Sequence, residues 1–256
     1  MTASTRTWHV PVWLGQIGCI FAFGLIWQGL YASGLVNPLF IGNPRDIGLY
    51  LYRGLFVNGE IWDHLGWTMA ATLGSFVLGS TGGILTGLLF VTYPRIEQFL
   101  DPIFSALNAL PRIALAPLFL LWFGLGIWSK VAVGTSLTFF IVLGSTIAGA
   151  RAVNADHITL ARTLGAKSSQ IFGEITLPGA VPTIFAGLRL GLIYALLGVV
   201  GAEIIAAQKG LGQMLTFLAG TFQTNGMFAI LVLLAVIGSG LTWFMTIFEM
   251  RLLRWR

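Results

Sequence analysis

The chain has 256 residues, of which 56% are hydrophobic and only 9% charged, and its mean hydropathy is +0.87. A soluble domain carries about 25% charged residues, so this composition excludes one. The net charge of +5 is not gathered into a basic cluster, which argues against a nucleic-acid partner. The single cysteine, Cys19, lies in an apolar run, reads as a packing residue, and excludes a disulfide framework or thiol metal site.

A membrane-crossing helix needs about 20 apolar residues. The first charge-free run gives span one at Trp13–Tyr31. Arg6 precedes it, as in a signal peptide, but the stretch is too long for a signal core and Gly29 to Val36 offers no cleavage site. A retained helix is therefore expected. Between Pro44 and Asp63, charges interrupt Ile47, Leu51, Leu55 and Ile61 at near-helical spacing. This predicts an amphipathic helix along the outer face.

Span two covers 65–90. Ser75, Gly79, Gly83 and Gly87 recur on it at intervals of four, a small-residue face that lets helices approach closely. Packing within the chain is the simpler reading, and a dimer contact the alternative. Span three covers 97–123 and is interrupted by Pro111 and Pro117, each lacking a backbone donor. Counted along a straight helix from Glu97, Arg112 falls ~22 Å into the span, where a charge costs at least ~2.5 kcal/mol. Arg112, with Pro111 and Pro117, is thus a candidate for a substrate pathway attracting an anion, or else a structural cation held by freed carbonyls.

Span four covers 131–150, between Lys130 and Arg151. Span five covers 182–206 and carries Arg189 and Glu203, on one helix face but ~21 Å apart and so unable to pair. Both fall near span ends and read as anchors reaching water, with substrate contact the alternative. Gly210 to Gly226 reads as a loop, and span six as 227–248. Six spans put both termini on one side. If that side is cytoplasmic, Arg6, Arg95, Arg151, Arg162, Lys167, Arg251, Arg254 and Arg256 lie inside, against Arg45, Arg53, Lys130 and Lys209 outside. That asymmetry satisfies the positive-inside rule. Trp8, Trp13, Trp62, Trp67, Trp122, Trp128 and Trp255 at span ends suit the interfacial belt.

The inner loop, 151–179, is the longest charged segment. Asp156 can cap a short helix ending at Leu164, which Gly165 terminates. A second helix, Ser169 to Thr176, then ends at Pro178. The product is a helical hairpin, read as a protein-docking knob rather than a plain connector. His9, His64 and His157 show no metal-ligand spacing, His157 reads as an exposed loop residue, and no phosphate-binding loop occurs. A secondary transporter would need acidic coupling groups at the depth of Arg112, and none accompanies it.

The hairpin resembles the coupling motif of permease subunits of bacterial ABC importers, Glu-Ala-Ala, three residues, Gly, nine residues, Ile-x-Leu-Pro. Ala161, Gly165, Ile175, Leu177 and Pro178 match with the spacing intact, while Thr159 and Leu160 depart. Thr159 stands where the family has a carboxylate, and Asp156 lies one turn earlier. Leu110 to Leu118, Trp122-Phe123-Gly124, Gly187-Leu188-Arg189, Ala202-Glu203 and Gly210-Leu211-Gly212 resemble permeases for nitrate, bicarbonate, taurine and aliphatic sulfonates. The resemblance implies an all-α type I importer permease of six transmembrane helices, a single domain over 1–256 in a bacterial inner membrane. It implies a second permease copy, ATPase subunits that bind ATP and Mg, an extracytoplasmic substrate-binding protein, and no cofactor or catalytic residue in this chain. The cargo it implies is a small anion, with a pyrimidine-type vitamin precursor as the alternative.

Overall fold

The computed structural model describes residues 12–35 and 37–252. Arg6, Trp8, His9, Val36, Arg254, Trp255, Arg256 and the side chain of Trp13 lie outside the described residues. The described structure is helical throughout, without strands. In order it comprises α1 (Val12–Ala32), α2 (Pro38–Ile41), α3 (Pro44–Tyr52), α4 (Glu60–Thr92), α5 (Pro94–Ala109), α6 (Ala116–Phe123) and α7 (Ile127–Arg151). There follow α8 (Ala155–Thr163), α9 (Ser168–Ile171), α10 (Leu177–Ile205), α11 (Leu211–Gly220) and α12 (Thr224–Leu252).

Among the described residues five helices are long and apolar enough to cross a membrane, and α5 with α6 makes a sixth span if the bent pair is counted as one. The centre is α7, packed between α4 and α10. Their apolar surfaces would be equally content in lipid, so close backbone contact and interhelical hydrogen bonds hold them together. The stripe on α4 supplies the first: a Cβ at Gly83 would lie 2.7 Å from the Phe139 carbonyl oxygen and 2.9 Å from the Leu143 nitrogen of α7. The small-residue face is thus an intrachain contact. Ser75 donates to the Val131 carbonyl at 3.1 Å, and Thr138 to the Gly191 carbonyl at 3.0 Å.

Several boundaries differ from the sequence reading. The amphipathic segment is α3 followed by a π turn (Arg53–Val57), and it stops at Gly59, whose φ of +68° lets the chain reverse. Consequently α4 starts at Glu60. The expected loop after Gly210 is mostly the helix α11, because Leu211, Met214, Leu215 and Leu218 recur at helical period and pack on Ile61 and Ile230. Cys19 is exposed, not packed within the chain. Its helix α1 meets the bundle near its other end, where Trp27 donates to the Ile41 carbonyl at 2.9 Å and packs edge-on against Phe228.

Gly83→Ala is expected to cost ~1–3 kcal/mol, since backbone atoms on α7 cannot step aside as a side chain would. Gly66→Ala, with nothing within 4 Å of the added Cβ, should be neutral. Thermal unfolding of the two detergent-solubilised variants compares them directly.

Candidate functional site

The hairpin between α7 and α10 is built by its caps. Asn154, not Asp156, is the N-cap of α8: its Oδ1 accepts from the Asp156 amide at 2.8 Å. Asn154 stands just outside the helix with its short side chain turned back, whereas Asp156 is already in the first turn, where its charge suits the helix dipole. At the other end Gly165 has φ +83°. The Ala166 amide donates to the Ala161 carbonyl and the Gly165 amide to the Arg162 carbonyl, each at 3.0 Å. This is a Schellman turn, and it explains why a small residue at 161 and a glycine at 165 go together.

The motif residues divide into two groups. Asp156, Thr159, Leu160 and Gly165 are exposed, with Ala161 half-buried behind them. His157 is exposed too, on α8 rather than in a loop. Leu160 is 60% and Leu164 78% exposed, and one helical turn makes them neighbours. Leu164 was legible only as a helix end, although an i, i+4 leucine pair on a polar helix is itself a contact signal. Thr159 donates its hydroxyl to the Ala155 carbonyl at 2.9 Å, which ties it to its own helix.

Ile175, Leu177 and Pro178 are half-buried and form the elbow. Pro178 does not end a helix there. The chain continues without a break from Ser168 to Ile205, 38 residues, through a π turn at Phe172–Thr176. That wider turn, closed by the Leu177 amide on the Phe172 carbonyl, accommodates the proline ring and its missing donor. At ~1.5 Å per residue the helix is about 57 Å long, well beyond a hydrocarbon core of about 30 Å, so it extends past the core.

The proline-broken span bends by 84° between α5 and the short 3-10 turn (Arg112–Leu115) that leads into α6. Pro111 marks the bend, with extended backbone at Leu110 and Pro111. Pro117, by contrast, lies in the first turn of α6 and starts a helix. The straight-helix depth for Arg112 therefore does not hold. Arg112 is half-buried at the bend. One guanidinium nitrogen donates to the Asn108 carbonyl at 3.1 Å and to the Asn108 side chain, and the group sits 4.2 Å from the centre of the Phe140 ring. It thereby satisfies a carbonyl freed at the break, and among the described residues no carboxylate pairs with it.

The two charges on α10 pair with neighbouring helices, not with each other. Arg189 is ion-paired with Glu249 of α12. Glu203 does not reach water: its side chain is 0% exposed, because α11 folds back over the end of α10. Its carboxylate accepts from Thr68 of α4 at 2.9 and 3.1 Å and from the Gly212 amide at 3.0 Å, and it pairs with Lys130 of α7 at 3.3 Å. Lys130, placed by sequence at the outer end of span four, is buried, with its amine also donating to the Lys209 carbonyl. Thr68 and His64, which contacts Gly210 at 3.0 Å, carried no sequence signal. They meet Glu203 and its loop across more than 130 positions of chain. Among the described residues no three His, Cys, Asp or Glu side chains could hold a metal.

An all-helical bundle with a bent span and a hairpin standing on a continuous one is the type I ABC importer permease fold. The crystal structure of an amino acid ABC transporter superimposes with a TM-score of 0.64, covering 80% of this chain and 97% of that one at 19% identity. The chain belongs to the family of binding-protein-dependent transport system inner membrane components, whose model matches residues 79–254. It is 35% identical over 231 residues, 90% of this chain and 83% of the relative, to the putative aliphatic sulfonates transport permease protein SsuC of Bacillus subtilis strain 168. It is also 35% identical over 215 residues, 84% of each chain, to the formylaminopyrimidine transport permease protein ThiX of Halalkalibacterium halodurans. Membership makes the chain a multi-pass inner-membrane transport component, non-catalytic itself, of a system with an ATPase and a substrate-binding partner.

Asn154→Ala should remove ~0.5–2 kcal/mol from α8. Amide hydrogen exchange within α8 is then expected to quicken by roughly 2- to 30-fold, while exchange in α7 and α10 stays unchanged.

Proposed function

We propose that this chain, acting as one transmembrane unit, forms half of a substrate pathway that alternates between outward- and inward-facing states under the control of a separate ATPase. Both termini and the α8–α9 hairpin face the cytoplasm, in keeping with the distribution of arginine and lysine. The observation that carries the reading is the exposed Leu160–Leu164 pair, held by a Schellman turn on the projecting end of the helix that runs on to Ile205. Leu160 and Leu164, 60% and 78% exposed, form an adjacent apolar pair at the end of a polar helix, which a partner would cover. Asp156, Thr159 and Leu160 form the docking face, Ala161 and Gly165 its turn, and Ile175, Leu177 and Pro178 the elbow that passes motion into α10. ATP binding closes the ATPase dimer, the hairpins follow, and the pathway opens outward to take cargo from the binding protein. Hydrolysis returns it inward. A second copy of this chain supplies the other half.

The cargo we infer is a small anion of the sulfonate or taurine kind. Arg112 supports this: among the described residues one nitrogen of its donor fork is engaged and no carboxylate pairs with it. A pyrimidine-type cargo is the second reading, favoured by the equally identical ThiX relative.

Protein tagged and purified from its native membrane is expected to bring down an ATPase subunit, and Leu164→Asp should reduce that recovery roughly tenfold, as loss of a central apolar contact does. Gly165→Pro, whose ring forbids φ +83°, should abolish ATP-driven uptake while leaving membrane insertion intact. If native protein recovers no ATPase, or the proline variant transports normally, the docking assignment fails. In uptake assays, labelled ethanesulfonate should be accumulated in preference to formylaminopyrimidine. Arg112→Gln should lower the anion uptake without affecting ATPase recovery; the reverse preference would establish the pyrimidine reading.

A further inference from the structure

The buried ion pair Lys130–Glu203 lies at the opposite end of α10 from the hairpin. Ile175 and Glu203 are 28 positions apart on one unbroken helix, ~42 Å. Four consecutive residues preceding and opening α11 are fastened around this pair. The Lys209 carbonyl accepts from Lys130, and Gly210 contacts His64 at 3.0 and 3.1 Å. The Leu211 amide donates to Thr68 at 2.8 Å, and the Gly212 amide to Glu203 at 3.0 Å. The fit leaves no slack. Gly210 has φ +124°, and a Cβ at Gly212 would lie 2.6 Å from the Val200 carbonyl oxygen.

Stability alone does not account for such a pair. Two charges withdrawn from water are generally no more stabilising than apolar residues of the same volume, and in some proteins such groups are kept because they fix one register. What they fix here is α11 against the last turn of α10. The other face of α11 borders a crevice of about 350 Å³ lined by Gln213, Thr216, Phe217 and Thr221 together with the end of α10.

We infer that Lys130 and Glu203 are a positioning pair that fastens α11 to the far end of α10, so that displacement at the hairpin arrives at α11 as the movement of one rigid body. The inference rests on the hairpin being the ATPase-docking element. It makes α11 and its crevice the part of the far face that moves with the ATPase.

Two experiments on the complete complex in proteoliposomes test it. In Lys130→Met/Glu203→Leu, both charges are replaced by apolar groups; Thr68, the Gly212 amide and the Lys209 carbonyl lose those partners, so thermal stability should fall somewhat, while ATPase recovery from the folded complex should match the native one. Substrate moved per ATP hydrolysed should nevertheless fall roughly tenfold, the scale of changes along coupled elements. A purely structural pair predicts native transport per ATP in a stable double variant, and that result would overturn the inference. The second experiment leaves the pair intact: with Cys19→Ala, spin labels are placed at the exposed Leu197→Cys of α10 and Phe217→Cys of α11. Their separation should stay constant to within ~2 Å between nucleotide-free and ATP-bound complexes, and a larger change overturns the inference even if the double variant does not fold. Failure of the native chain to recover an ATPase is a different result. It removes the docking reading, while the label separation still reports whether α10 and α11 move together.

Discussion

A carboxylate withdrawn from water has to be given enough donors to replace its hydration, and inside a membrane protein those donors must come from the protein itself. Glu203 meets this demand by gathering Thr68 from α4, Lys130 from α7 and the Gly212 amide from α11 around the last turn of α10. Four helices must therefore be in register at one point. Farther along the bundle, small residues bring α4 and α7 into backbone contact and Thr138 joins α7 to α10. The polar convergence ties four helices at one end of the bundle, and the small-residue contacts continue the packing toward the hairpin.

That division of labour decides what can be read from the chain alone. Spans were legible because charges interrupt apolar runs, and the α4 stripe because glycine repeats at a fixed interval. The Ala161–Gly165 turn was legible because it is local: its hydrogen bonds join residues a few positions apart. The Glu203 site was not, since its partners come from helices separated by as many as 135 positions and each looks ordinary in its own segment. Lys130 passed for a cation marking the outer end of a span. Two local errors have different causes. Gly210 and the threonines masked the apolar period of α11, and Pro178 looked like a terminator because the π turn that absorbs it leaves no mark in the sequence.

The coupling motif gains a physical sense from the hairpin. Its small residue and glycine are the two ends of one Schellman turn, and its Ile-x-Leu-Pro is an elbow inside a continuous helix. The exposed apolar side chains of the hairpin are Leu160 and Leu164, and Thr159 spends its hydroxyl on its own backbone. A missing carboxylate at 159 is thus compatible with a docking face that relies on burial of leucine rather than on charge.

Dependence of cargo movement on an ATPase acting at the hairpin follows from the proposed docking of α8. It is tested most directly by reconstituting the chain with its ATPase and binding protein in proteoliposomes and following labelled cargo under controlled gradients. Accumulation is expected to require ATP on the hairpin side and to persist when proton and sodium gradients are collapsed. Accumulation by the chain without the ATPase, driven by an ion gradient, would contradict it.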